Sequence, residues 1–125
     1  MLTQRRYSIG EMCEAFSVTA RALRFYEDEQ LIAPERRGTT RLYTDRDRAR
    51  LAWILRGKSV GLSLADIKEL LDLYDLGDGR ETQRVKTIER CREQVDRLER
   101  QRVDIDATLA ELNAFISLLK GEEKN

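Results

Sequence analysis

The chain has 125 residues, 41% hydrophobic and 37% charged, and its 23 Lys/Arg offset its 23 Asp/Glu to a net charge of zero. That length fits one domain, or a small domain with an extension; no apolar run approaches the ~20 residues of a membrane span, and the basic start MLTQRRYSIG has no apolar stretch behind it and is not a signal peptide, so a soluble cytoplasmic protein is expected. With no histidine, two distant cysteines and no Gly-rich phosphate loop, the chain lacks the usual general base, most zinc spacings and a disulfide framework, so neither an enzyme nor a metal or other cofactor is expected.

The first helix signal is SIGEMCEAF. Ser8 caps it and Glu11 completes an S-x-x-E box. Ile9, Met12, Cys13 and Phe16 recur at i, i+3, i+4, i+7 and make one apolar face, so Cys13 reads as a small core residue. SV then leaves room for a tight turn only. Thr19 caps a second helix running to about Glu29, and two short helices joined so closely make a helix-turn-helix. Ala22, Leu23 and Tyr26 look inward, while Arg21 and Arg24 share an exposed edge one turn apart.

LIAPERRGTTRLYT follows. Pro34 blocks a helix, and Gly38 with two threonines supplies turn chemistry. A small hairpin fits, with Arg36, Arg37 and Arg41 around its tip and Tyr43 on its return strand, in the manner of a wing. Thr44 opens a third helix with Asp47 as its acidic N3 partner. Leu51, Ile54 and Leu55 form its apolar face, and Trp53 is expected to pack on a neighbouring element. GKSVGLS ends it, leaving a basic corner at Lys58. Ser63 and Asp66 repeat the cap pattern for a fourth helix with Leu64, Ile67, Leu70 and Leu71 inside, closed by DLGDG.

Residues 81–120 contain no glycine or proline. As one helix they would extend about 60 Å at 1.5 Å per residue, too long to be buried by the rest of the chain. The stripe Ile88, Cys91, Val95, Leu98, Arg102, Ile105, Leu109, Leu112, Ile116, Leu119 steps by 3 and 4 without a slip, the a/d pattern of a coiled coil. Arg102 is its charged member, with Glu99 and Asp106 as expected partners. A charge at such a site lowers stability and fixes register. The expected organisation is a head over residues 6–75, an association helix over 81–120 and a frayed tail over 121–125.

The zero net charge hides an asymmetry. Residues 1–60 carry 12 Lys/Arg against 8 Asp/Glu, and residues 61–125 carry 11 against 15. Within residues 36–58 the count is eight basic to two acidic. A basic half carrying a helix-turn-helix and a wing fits a polyanion, double-stranded DNA above all. Helix-turn-helix proteins lay the second helix in the major groove, where Arg donates two hydrogen bonds to guanine O6 and N7. The candidate interface is therefore Arg21 and Arg24 behind the Thr19 cap on the second helix, Arg36, Arg37 and Arg41 on the wing, and Lys58. The competing reading is a protein-interaction adaptor that uses its coiled coil and ignores DNA sequence.

The stretch YSIGEMCEAFSVTARALRFYEDEQLIAPERRGTTRLYTDRDRARLAWILRGKSVGLSLADIKELL resembles the DNA-binding domain of the MerR family of bacterial transcription regulators. The likeness rests on YSIGE, RALRFYE with LIAP behind it, RLYT after the wing and GLSLADI at the fourth helix, and covers roughly residues 6–73. The RGK-x-x-G-x-S-L-x-x-I-x-x-L-x-D-L-Y run is most similar to the LiuR-like regulators of branched-chain amino-acid and acyl-CoA catabolism. The resemblance implies a mainly α protein, with a winged helix-turn-helix head and a homodimer joined by an antiparallel coiled coil of the long helices. It implies a palindromic operator that the protein bends and untwists, changing RNA polymerase access. It assigns Arg21 and Arg24 to the groove, places Tyr26 beside them in the interface, at the backbone or in the core, and assigns Arg41, Tyr43 and Lys58 to phosphate. Phe25 stands where tyrosine is commoner in the family and makes no hydroxyl contact. Metal- and redox-sensing relatives use cysteines at the start of the long helix and in a loop beyond it. Here Glu81 and Thr82 stand near that start, and no cysteine follows Cys91.

Overall fold

The computed structural model describes residues 5–74, 77 and 80–123, without the side chain of residue 123. The chain divides into two compact units, Met1–Thr87 and Ile88–Asn125. The described elements run α1 (Ile9–Phe16), α2 (Ala20–Asp28), β1 (Glu35–Arg37), β2 (Thr40–Leu42), α3 (Asp45–Ser59), α4 (Leu64–Leu73) and α5 (Glu81–Glu123).

Each helix of the first unit begins where its cap chemistry directs. Ser8 Oγ accepts from the Glu11 N–H at 3.0 Å, and Glu11 Oε1 accepts from the Ser8 N–H at 3.0 Å. Thr44 and Asp47 close the same reciprocal box at α3. Thr19 and Ser63 each satisfy one orphan N–H, of Ala22 and Asp66. α1 stops at Ser17, which turns left-handed with φ 54°, and α2 starts three residues on. The turn is therefore as tight as the sequence implies.

The hairpin pairs Glu35 with Leu42, Arg36 with Arg41 and Arg37 with Thr40. Gly38 takes φ +65° at its tip, a conformation glycine adopts without penalty. A further antiparallel bridge joins Tyr7 to Tyr43, with N–H···O bonds of 2.8 Å in both directions. It fastens the segment before α1 to the wing's exit. This pairing was not expected from the sequence.

The apolar faces of α1 to α4 meet in one core that contains Met12, Leu23, Tyr26, Leu51, Ile54, Ile67 and Leu71, with Tyr7, Leu31, Ile32 and Tyr43 from the connecting segments. Cys13 and Trp53 pack against its edge. The DLGDG segment expected to close α4 lies outside the described residues except for Gly77.

In the second unit α5 carries the expected stripe. Ile88, Val95, Leu98, Ile105, Leu109, Leu112, Ile116 and Leu119 are each 41–59% exposed among the described residues. Cys91 is half-buried and Arg102 exposed. Arg102 makes no ion pair with Glu99 or Asp106 among the described residues; exposed pairs of that kind contribute little. The helix runs to Glu123 rather than ending at Lys120. Gly121 sits in its last turn, where glycine's cost of about 1 kcal/mol does not stop the helix. Lys124 and Asn125 lie outside the described residues.

Gly57 is buried where α3 crosses α4: a Cβ there would lie 2.8 Å from Ile67 Cγ1 and 3.0 Å from its Cδ1. Gly57→Val should overpack this crossing and cost about 1–3 kcal/mol. Gly57→Ala should cost less, because alanine regains about 1 kcal/mol of helix propensity. Thermal or urea unfolding checks both, and a Gly57→Val protein as stable as wild type would show that the helices separate freely.

Candidate nucleic-acid interface

The second helix of the helix-turn-helix presents Arg21 and Arg24 on its exposed side. Arg24 leans back to its own helix, its Nε donating to the Ala20 carbonyl at a long 3.4 Å. Arg21 makes no hydrogen bond or ion pair among the described residues. Neither guanidinium is tied to another element, so both are available to an external acceptor. Thr19, at the head of the same helix, is exposed, with its hydroxyl engaged as the cap.

The two aromatics next to these arginines separate. Phe25 is 43% exposed, and its ring centre is 5.8 Å from that of Tyr26. Tyr26 is buried, and its hydroxyl accepts from Lys58 Nζ at 3.2 Å. The ammonium also lies 5.5 Å from the Tyr26 ring centre. Lys58, in the last turn of α3, is thereby drawn to α2. The basic corner and the arginine edge of α2 belong to one surface.

On the wing, Arg36 and Arg41 are direct cross-strand partners on one face. Two like charges opposed in this way are unfavourable. Glu27, near the end of α2, resolves the conflict. Its Oε1 accepts from Arg36 Nη2 at 2.6 Å and its Oε2 from Arg41 Nε at 2.8 Å. Burial pushes the Glu27 carboxyl up, but the hydrogen bonds and charges of the two arginines outweigh it and hold the group below the usual carboxylate range. Arg37, one residue away and facing the other side, is exposed and makes no ion pair among the described residues.

The wing is also anchored from the N-terminal side. Arg6 donates from Nε and Nη2 to the two Glu35 oxygens, each at 3.0 Å. This bidentate pair holds the Glu35 carboxyl low. Glu27 and the Arg6–Glu35 pair are the parts of the site that the sequence reading missed. The available signal was the acidic run Glu27-Asp28-Glu29 directly behind RALRFY, ahead of a basic wing.

Tyr43 corrects an expectation. It was assigned to phosphate, but its side chain is fully buried. It shares the face of its strand with Arg41, the face turned to the body of the head, and the bridge to Tyr7 closes beside it. Its hydroxyl has no hydrogen-bond partner among the described residues. Burial, with Glu27 as a further contributor, pushes the phenol above its ordinary value. Tyr43 serves the core.

A tight two-helix turn, a wing on its flank and an exposed arginine edge together define a winged helix-turn-helix protein. Residues 7–73 match the profile of "MerR HTH family regulatory protein", and residues 48–115 that of "MerR, DNA binding". With more than half of its length matched, the chain belongs to the MerR family. It is 41% identical over 69 residues to the HTH-type transcriptional regulator ZntR of Escherichia coli K12, spanning 54% of this chain and 49% of that protein. It is 33% identical over 107 residues to the HTH-type transcriptional regulator HmrR of Rhizobium leguminosarum, spanning 84% and 82%. The chain thus spans about half the length of several curated relatives that it matches. Among solved structures it is similar to HiNmlR, a MerR family regulator lacking the sensor domain, bound to promoter DNA: 27% identity, TM-score 0.61, covering 84% of this chain and 79% of that one.

Among the described residues of the head, three carboxyls are held low. They are Glu11 by the Ser8 N–H, Glu35 by Arg6, and Glu27, whose two arginines outweigh the upward effect of burial. A carboxyl depressed on folding adds stability above its unfolded value, near 4.5 here, and loses it as pH falls through the folded value. The melting temperature should therefore fall as acid is added below about pH 4.5. Glu35→Gln should make that fall shallower. Identical pH profiles for wild type and variant would remove the Arg6–Glu35 pair from the account.

Proposed function

We propose that the protein is a sequence-specific DNA-binding transcriptional regulator that acts as a homodimer on a palindromic promoter operator and works by distorting that DNA. The observation that carries this reading is the pair of exposed arginines, Arg21 and Arg24, on the second helix of a helix-turn-helix with a basic wing beside it. Residues at that place reach base edges in the major groove, while Thr19, Arg36, Arg37, Arg41 and Lys58 serve the phosphates and set register. Tyr26 contributes by holding Lys58, and Tyr43 by filling the core. The promoter DNA bound by HiNmlR supports the same choice of partner. Distortion of a promoter makes RNA polymerase the second partner, and the site of action is the cytoplasm.

The dimer rests on α5. Its exposed a/d stripe, Ile88 to Leu119 with Arg102 inside it, fits a second copy in an antiparallel coiled coil. We divide the chain accordingly into a DNA-binding head over residues 6–75 and a dimerisation helix that begins at 81 and continues past the boundary at 120 to Glu123. The two-fold symmetry of such a dimer matches a palindromic operator. The RGK-x-x-G-x-S-L run supports a place near the LiuR-like regulators, either as a plain repressor or with an acyl-CoA-type ligand.

Binding to any DNA duplex should weaken steeply with salt, because each phosphate neutralised contributes about −0.9 to the log–log slope. Arg24→Ala should lose about 1–3 kcal/mol of discrimination at one base position. Selection from a randomised duplex library measures this, and unchanged sequence preference in the variant would remove Arg24 from base reading. Light scattering at micromolar concentration should give twice the chain mass. A monomer there would overturn the dimer, and the adaptor reading would gain from a dimer that ignores DNA.

A further inference from the structure

The wing contributes fewer free charges than its sequence suggests. Arg36 and Arg41 stand opposite one another on β1 and β2, and both guanidiniums end on the carboxylate of Glu27. Glu27 belongs to α2, the helix that carries Arg21 and Arg24. Its side chain is only 15% exposed, whereas Arg36 is 52% exposed and Arg41 25%. The acid is therefore set behind the arginines and accessible mainly through them. A phosphate approaching the wing meets the two guanidiniums first and the carboxylate behind them.

We propose that Glu27 is a positioning residue for DNA recognition: a counterion latch that fixes the wing against the recognition helix and halves the charge that Arg36 and Arg41 together offer to phosphate. The inference rests on the DNA-binding reading above. Two arginines and one carboxylate present one net positive charge instead of two. Partial neutralisation weakens attachment to any phosphate backbone, which carries no sequence information. It leaves the base contacts of Arg21 and Arg24 untouched. The latch therefore favours the correct sequence over bulk DNA by restraining the sequence-independent part of binding. It also couples the two: the wing cannot shift without pulling on the helix that reads bases.

Glu27→Gln keeps the shape and removes the charge. Wild type, Glu27→Gln, Arg36→Gln/Arg41→Gln and the triple variant are each titrated across a salt series with two probes. One is a mixed-sequence duplex, and the other is the duplex that wild type selects from a randomised library. For Glu27→Gln the slope on the mixed-sequence duplex should steepen by about 0.9, the value of one more phosphate neutralised. Its preference for the selected duplex should fall several-fold. In the Arg36→Gln/Arg41→Gln background the same substitution should change neither quantity. An unchanged slope and preference in Glu27→Gln, or an equal effect without the two arginines, overturns the latch. Wild type that binds no duplex overturns the DNA reading instead. Hydrogen exchange in DNA-free protein then decides the latch alone: wing amides should exchange faster in Glu27→Gln, and equal rates would overturn it.

Discussion

The head depends on how α3 begins. The wing leaves the body after Ala33 and returns at Thr44, and one carboxylate holds both roots. Asp47 Oδ1 accepts from the Ala33 N–H at 3.1 Å, while Oδ2 accepts from the Thr44 N–H at 2.9 Å and from Thr44 Oγ1 at 3.1 Å. Asp47 is 3% exposed, so these bonds are made where water cannot replace them. One turn later Arg50, also buried, donates from Nε to the Leu31 carbonyl at 2.6 Å and from Nη1 to the Leu71 carbonyl at 3.4 Å. A buried N–H or C=O left without a partner costs about 1–3 kcal/mol. The first two turns of α3 thus set where α2 ends, where the wing starts, where it finishes and where α4 stops. The position of Glu27 relative to Arg36 and Arg41 follows from that frame.

This frame sorts the arginines into distinct roles. Arg50 is structural and buried. Arg6 is spent on Glu35, and Arg48 stacks its guanidinium 4.5 Å from the Tyr7 ring centre. Arg36 and Arg41 share a carboxylate. Arg21, Arg24 and Arg37 face outward without a tie to another element. The basic excess of residues 36–58 is therefore a poor measure of the interface, because much of it is internal. Charge density points to the half of the chain that folds as the winged helix-turn-helix, and side-chain geometry sorts its charges into tied and untied ones.

Local chemistry was legible in the sequence, and long-range pairing was not. Ser8–Glu11 and Thr44–Asp47 lie three residues apart, so their capping boxes could be read directly, as could the apolar faces of α1 and α4 and the Gly38 turn. Glu27 reaches Arg41 across 14 residues, and Arg50 reaches Leu31 across 19. Nothing in the spacing announces either contact. Asp47 was read as a cap, and its second bond, to Ala33, was invisible for the same reason. Tyr43 went wrong because its strand is short: over three residues, alternation alone does not say which face is inward. The stripe on α5 has the opposite character. Its period is plain, and its residues stay exposed among the described residues.

That exposed stripe connects with the small number of free base-reading groups. In the proposed reading one head offers Arg21 and Arg24 to the groove. A good bidentate arginine–guanine contact discriminates by about 1–3 kcal/mol, so a single head reaches about 2–6 kcal/mol at best. Specific regulators separate their site from bulk DNA by about 4–10 kcal/mol. Two heads reading two half-sites double the first figure to about 4–12 kcal/mol, which covers that span where one head reaches only its lower end. The proposed pairing of α5 is then part of recognition and not merely a means of assembly. Restraint of the wing by Glu27 acts on the same ratio from the other side, since lowering attachment to bulk DNA widens the gap that the arginines must create. A chain with few base contacts gains specificity by duplicating those contacts and by limiting its sequence-independent charge, and the geometry of α2, the wing and α5 supplies a physical route to both.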